Sequence, residues 1–394
     1  MQTQPLAGIR VLDLTQIFQG PYASFLMAMA GADVVKVEPP GGERMRQNGG
    51  AETPLSFAML NSNKRSLALD LKQPRGKEIL KAMAAKADVL LENFAAGTMD
   101  RLGLGWEVMR KINPRLVYGS ATGYGLSGPD RDLLAMDHTI QAASGMMSIT
   151  GEAGGPPARA GGTPCDIMGG IHLYGGVLQA LLGRKRTGHG TRVEVAMIEA
   201  MYFTLASDLA AYHRTGALPE RRGDKTPANT APYGRYRCKD GWIAVICVSE
   251  DQWARILDVV GRPELKGNPD YGTREKRHAR EAEINAMIEA WCGGLPRDEA
   301  FATLRENRVP VAPIRNLDDV QNDPHMHARG TLQRMTHPAM REIVLPRPPI
   351  RLSEYDAPEI QFFPEPGADG AAVLQEWLGL GAAEIDGLKD AGVI

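Results

Sequence analysis

The feature that most constrains this chain is a short strand, helix, strand unit that occurs twice near its start. Residues 9–14 form an apolar run interrupted by Asp13, a loop leads to Gly20, Pro21 opens a helical stretch ending at Gly31, and residues 33–37 read as the next strand. Proline suits a first helical turn, whose N–H groups have no partner within the helix, and glycine suits the left-handed residue just past a helix end. The pattern returns as a strand over 66–71, a helix over 76–85 and a strand over 89–92. A crossover of this length joins parallel strands, so the expected fold class is α/β, a Rossmann-like doubly wound sheet.

Residues 106–112 continue the pattern as a helix, 116–122 as a strand, 191–196 as a strand and 198–212 as a helix, with another helix starting near Asp166 and running past Gln179. Residues 1–215 are therefore expected to form the first part of a large domain. Residues 216–231, rich in Pro, Arg and Gly without apolar periodicity, read as a linker. A smaller α+β domain is expected over 232–325, containing a strand at 242–248 and a helix started by Ser249 with Gln252 three residues on. Pro-rich stretches then precede two short helices, 371–378 and 382–391, in a return segment over 326–394.

Charge narrows the partners. A formal net charge of -2 with 23% charged residues and no block of like charge argues against nucleic acid. The first sixteen residues hold only a short apolar stretch, so neither a signal peptide nor a membrane anchor is read there, and a soluble cytoplasmic protein is expected. Cys165, Cys238, Cys247 and Cys292 form no C-x-x-C pair and no histidines have metal-ligand spacing, so no metal is expected and the thiols read as reduced and buried.

Loops at the carboxyl ends of the strands are where such a fold binds ligands. The loop over 15–21 leads into a helix whose free N–H groups would favour an anion. It carries one glycine where a dinucleotide site needs G-x-G-x-x-G, which argues against an NAD-type oxidoreductase. Lys64, Arg65, Lys72 and Arg75 flank the strand at 66–71 and read equally as phosphate ligands or as a solvated edge. Asn93 and Phe94 follow a strand, with Arg101 two turns on, an arrangement that can take an adenine ring and a phosphate. Asp166 follows a Gly-Gly-Thr-Pro-Cys run and precedes Gly169 and Gly170. The helix dipole would keep its carboxylate ionised and nucleophilic, yet capping aspartates are frequent and contribute about 1 kcal/mol, so local pattern alone favours a cap. Ser127 lacks the G-x-S-x-G elbow of a serine hydrolase.

Several motifs in order, GIRVLDLT at 8–15, Gly20-Pro21, GADVVKVE at 31–38, Asn63-Lys64-Arg65-Ser66, Glu92-Asn93-Phe94 and Gly123-Tyr124-Gly125, resemble the class III (formyl-CoA-transferase-like) CoA-transferases along nearly the whole chain. The resemblance implies a large sheet domain built from both chain ends, a small central domain, and an interlocked homodimer. It implies CoA esters as substrates with no tightly bound cofactor, and small carboxylic acids as partners. Asp166 becomes the nucleophile that forms an aspartyl-acyl anhydride and then an aspartyl-CoA thioester, reversing the cap reading. Gln16, Lys72, Asn93, Phe94, Arg101 and Leu102 match positions that contact CoA, and Gln16 and Asp137 are supporting candidates. Two positions depart from the pattern: Gln16 stands where many members carry Arg or His, and residues 245–252 lack the glycine-rich lid of formyl-CoA transferase.

Two other functions are open to such a chain. A 2-methylacyl-CoA racemase pairs a His and an Asp across the α-carbon, but Met136 precedes Asp137 where that pattern has histidine, and His138 points elsewhere on a helix. A catalytically silent CoA-binding subunit of a heteromeric transferase would have no need of Asp166.

Overall fold

The computed structural model describes residues 4–47, 55–223, 230–337 and 341–394; residues 224–229 of the expected linker lie outside it. Six parallel strands, β1 (Arg10–Asp13), β2 (Asp33–Glu38), β3 (Arg65–Ala68), β4 (Val89–Glu92), β5 (Val117–Thr122) and β6 (Arg192–Ala196), form one sheet in the order β3-β2-β1-β4-β5-β6. This is the Rossmann order, and its direction reverses between β1 and β4.

Successive strand residues face opposite sides, so one run of apolar residues feeds two cores. Val11, Val34, Leu91 and Val117 pack against Met27 of the opening helix Gln19–Met29 and against Leu173, Val177 and Leu181 of the long helix Pro164–Thr187. Leu12, Val35, Leu90 and Tyr118 face the other way, onto Leu80 and Met83 of the helix Pro74–Ala84 and onto Leu374, Trp377 and Leu388 near the chain's end. Those last residues lie in the helices Gly370–Leu378 and Ala382–Asp390, and Asp369 accepts a hydrogen bond from the Ser66 N–H at 2.8 Å, fixing the returning chain to the start of β3.

Two compact units divide the chain. The first comprises Met1–Met146, Arg159–Thr204 and Pro324–Ile394; the second comprises Met147–Ala158 and Leu205–Asp323. The stretch read as one helix over 198–212 is broken into Met197–Tyr202, a short 3-10 turn and Ala206–Thr215, with Ala206–Thr215 in the second unit. A hairpin of β10 (Leu332–His337) and β11 (Arg341–Pro346), which the sequence reading did not place, returns to the first unit, where Ile343 and Leu345 join Phe25, Phe57 and Phe363.

The second unit has its own antiparallel sheet, β7 (Tyr233–Arg237), β8 (Trp242–Ile246) and β9 (Val311–Pro313), over a separate core. Ser249 caps the helix Glu250–Val259 by accepting from the Gln252 N–H, as its spacing anticipated. Arg277 is fully buried and satisfied by Glu250 at 2.7 Å and by the Tyr271 carbonyl at 2.9 Å. Cys238 and Cys292, distant in sequence, meet in this core as free thiols, and burial raises both.

Beneath the sheet's carboxyl edge lies a buried ionic cluster. Asp13, at the end of β1, accepts from Lys64 Nζ at 2.9 Å, Ser24 Oγ at 2.6 Å and the Thr15 N–H at 3.0 Å. Burial pushes the Asp13 carboxyl up, but the Lys64 and Lys36 cations and the hydroxyl donors outweigh it and leave it at about 2. Lys64 is lowered by burial to about 8, with Asp13 opposing. The reading of Lys64 and Arg65 as phosphate ligands is thereby corrected: Lys64 is spent inside the fold, and Arg65 pairs with Asp33 at 2.7 Å and Glu376 at 2.6 Å. Replacing Lys64 with Met removes the cation that bonds buried Asp13 directly and should cost about 3–5 kcal/mol of stability. Urea unfolding at neutral pH would measure this, and a loss below about 1 kcal/mol would contradict the role assigned to the pair.

Candidate active site

Ligands of an open α/β sheet bind where strand order reverses. Here that crevice is walled by the loops after β1 and β4, and Asn93 stitches them together. Its Oδ1 accepts from the Gln16 N–H at 2.7 Å and its Nδ2 donates to the Gln16 carbonyl at 2.8 Å. The next residue, Ile17, sits at φ 66°, a conformation costly for a β-branched side chain, and donates its N–H to buried Glu43 at 3.3 Å. Lys36 Nζ holds the Thr15 carbonyl at 2.9 Å. The N–H groups of Thr15, Gln16 and Ile17 are thus committed within the protein. The expectation of free donors for an external anion fails over those residues.

The anion that this turn faces is Asp166. The opening helix begins at Gln19, whose backbone N–H bears on the Asp166 carboxylate and pulls it downward. Asp166 itself is the third residue of the long helix, after Pro164 and Cys165, and is not its cap. Capping comes from another element: Asp137 Oδ2 accepts from the Cys165 N–H at 2.8 Å and the Asp166 N–H at 3.3 Å. Its Oδ1 accepts from Gln141 at 2.6 Å, and Gln141 accepts from the Ala160 N–H at 2.9 Å.

The two helices meet at Gly169 and Gly170. A Cβ on Gly169 would lie 2.5 Å from Gln19 Nε2, and one on Gly170 would lie 2.6 Å from the Gln19 carbonyl. Only glycine permits this approach, which is how the pair of glycines after Asp166 serves the site.

Asp166 is only 8% exposed. Burial, then the neighbouring Asp137 charge, push its carboxyl up to about 7, against the downward pull of the Gln19 N–H. The helix dipole therefore does not hold it in the ordinary carboxylate range, contrary to the sequence reading. Asp166 opens onto a cavity of about 230 Å³ shared with Gln16, Gln19, Asn93, Phe94, Tyr124 and Arg131. Gln16, Asn93, Phe94 and Asp166 are thus brought together, whereas Asp137 stands behind the helix terminus. Lys72 and Arg101 are exposed and Leu102 is half-buried against the sheet's core; none of these three lines the cavity. Arg101 Nη2 donates to Thr98 Oγ1 at 2.9 Å. Sequence reasoning missed Gln19 and Arg131; the polar Gln immediately before Gly20-Pro21 was the available signal for the first.

His138 is exposed, and Asp137 is spent on the helix terminus, so the pair offers no opposed bases. Among the described residues no cluster of His, Cys, Asp or Glu could hold a metal ion, and no helix is long and apolar enough to cross a membrane.

A Rossmann-like sheet with its crevice at the switch point places the chain in the doubly wound α/β class. Residues 6–370 match the model of CoA-transferase family III. The formyl-CoA:oxalate CoA-transferase of Streptomyces avermitilis is 37% identical, with 100% of both chains covered. The beta subunit of the succinyl-CoA--L-malate CoA-transferase of Chloroflexus aurantiacus is 35% identical over 100% of this chain and 98% of its own. The crystal structure of a CAIB/BAIF family protein from Brucella suis superposes with a TM-score of 0.86 at 33% identity, covering 95% of this chain and 100% of the other. The chain belongs to CoA-transferase family III, and it is a CoA-transferase.

The raised Asp166 carboxyl carries a stability signature. Its folded value of about 7 exceeds the ordinary 3.8, so between those values the folded state holds a proton that the unfolded chain has released. Its contribution is full below about pH 4 and lost as pH rises through about 7. Asp166→Asn should flatten the fall in urea midpoint between about pH 4 and about pH 7, and Asp137→Asn should reduce it by removing the adjacent charge. An unchanged slope in both variants would contradict the assignment.

Proposed function

We propose that this enzyme moves CoA from an acyl-CoA donor to a carboxylic acid through covalent intermediates on Asp166. The observation that supports it most is the placement of that carboxylate, buried at the switch point and opening onto a cavity. The ionised Asp166 oxygen attacks the thioester carbonyl; a C–O bond forms, the C–S bond breaks, and CoA leaves as thiolate, giving an aspartyl-acyl anhydride. The thiolate then attacks the Asp166 Cγ, forming an aspartyl-CoA thioester and releasing the donor acid. The acceptor carboxylate attacks that thioester, and the thiolate returns to the acceptor's acyl carbon, freeing Asp166. Each species is similarly activated, so exclusion of water is what keeps the group from being hydrolysed.

The cavity is too small for a whole CoA, and Asn93 is occupied by Gln16, so its part is to shape the loop beside the thiol end. Phe94, on the cavity wall, offers an apolar face, while Lys72 and Arg101 are free to reach the cofactor's phosphates outside the cavity and Leu102 supports that edge. The named relatives act on oxalate and malate, and a small dicarboxylic acid is the acceptor or donor we propose. We further propose that two copies interlock as a homodimer working in the cytoplasm.

Mixing wild type and Asp166→Ala with a panel of acyl-CoA esters, followed by hydroxylamine trapping and intact-mass spectrometry, tests the route. An adduct should map to Asp166 in wild type alone, and turnover of the variant should fall at least about 10³-fold. Near-normal turnover would sink the mechanism. Arg101→Ala should raise the KM for CoA esters about tenfold with kcat nearly unchanged, because a phosphate contact is made equally in ground and transition states. A large fall in kcat at constant KM would count against that contact.

A further inference from the structure

We propose that the side-chain amide of Gln19 donates a hydrogen bond to the reacting acyl oxygen of the substrate, which makes it a catalytic residue beside Asp166; this rests on the Asp166 route above. Gln19 is 2% exposed and lines the cavity that holds Asp166. Its Nε2 has no hydrogen-bond partner. The contrast with the amides around it is sharp: Asn93 Nδ2 donates to the Gln16 carbonyl, and Gln141 Nε2 donates to Asp137. An N–H left unpaired in a buried place is costly, and a ligand oxygen that reaches it recovers the loss.

Position and charge both favour an acyl oxygen as that partner. Nε2 lies against Gly169, one helical turn beyond Asp166, in space that a Cβ at 169 would fill at 2.5 Å. When Asp166 attacks the thioester, negative charge gathers on the acyl oxygen. The groups that bear on Asp166 are the Asp137 carboxylate and the Gln19 backbone N–H, and neither is a cation. Arg131, the cation on the cavity wall, is paired with Asp132, which leaves a neutral donor beside Asp166 to meet the developing charge, and preorganised donors of this kind act mainly on the transition state.

The test uses the full-length enzyme and the acyl-CoA ester that labels wild type fastest. The rate of adduct formation on Asp166 is followed by intact mass in wild type, Gln19→Met and Gln19→Glu, with thermal melting as the check on folding. Gln19→Met keeps the length and loses the donor, so labelling should slow about 10²-fold while the KM for the ester changes little. Gln19→Glu can donate only when protonated, so its rate relative to both Gln19→Met and wild type should climb as pH falls. Should Gln19→Met fail to fold, the Gln19→Glu to wild-type ratio carries the test alone. Labelling of Gln19→Met at the wild-type rate, or a Gln19→Glu ratio flat with pH, would overturn the inference while leaving the Asp166 route intact. Absence of any wild-type adduct at Asp166 would instead overturn the route, and this inference with it.

Discussion

The buried pairing of Asp13 with Lys64 is the interaction on which the site's geometry depends. Asp13 ends β1, Ser24 lies in the opening helix, and Lys64 immediately precedes β3, so one carboxylate ties three segments together. Lys64 also reaches the Pro21 carbonyl at 3.1 Å and Asn61 at 2.7 Å, which satisfies its remaining protons. A buried ion pair is weak evidence of net stability, but its directional bonds specify one arrangement of the chain. Through Ser24 and the Pro21 carbonyl the pair fastens the opening helix to the end of β1, and that helix begins at Gln19.

At Asp166 opposing influences are balanced within a small volume. One helix terminus presents an N–H to the carboxylate, while Asp137 satisfies the donors of the other terminus and in doing so places a second negative charge nearby. Burial adds to that charge, and together they win over the donor. The result is a carboxyl pushed up to about 7, well above the ordinary carboxylate range.

The strands and crossovers were legible because apolar periodicity and helix punctuation are local signals. Asn93 and Phe94 drew notice from their place after a strand, whereas Asp166 was singled out as a nucleophile only through family resemblance, since an aspartate at a helix start is more often a cap. What escaped reading was relational: that Asp137, 29 residues earlier, supplies the cap, and that Lys64 points inward to Asp13. The β10–β11 hairpin was missed because its flanking prolines read as loop, although they only bound it. Gln19 gave no periodic signal, being one polar residue among apolar neighbours at a helix start.

The return of the last helices to β3 sets an order of events for a chain leaving the ribosome. Val373, Leu374 and Trp377 complete one face of the sheet, so that face stays open until residues 370–378 have been made. Residues 205–323 form the continuous bulk of the second unit and emerge complete well before then. Domains generally fold as units during synthesis. The second unit thus assembles while the first still waits for the helices Gly370–Leu378 and Ala382–Asp390, its apolar strands half-covered until then.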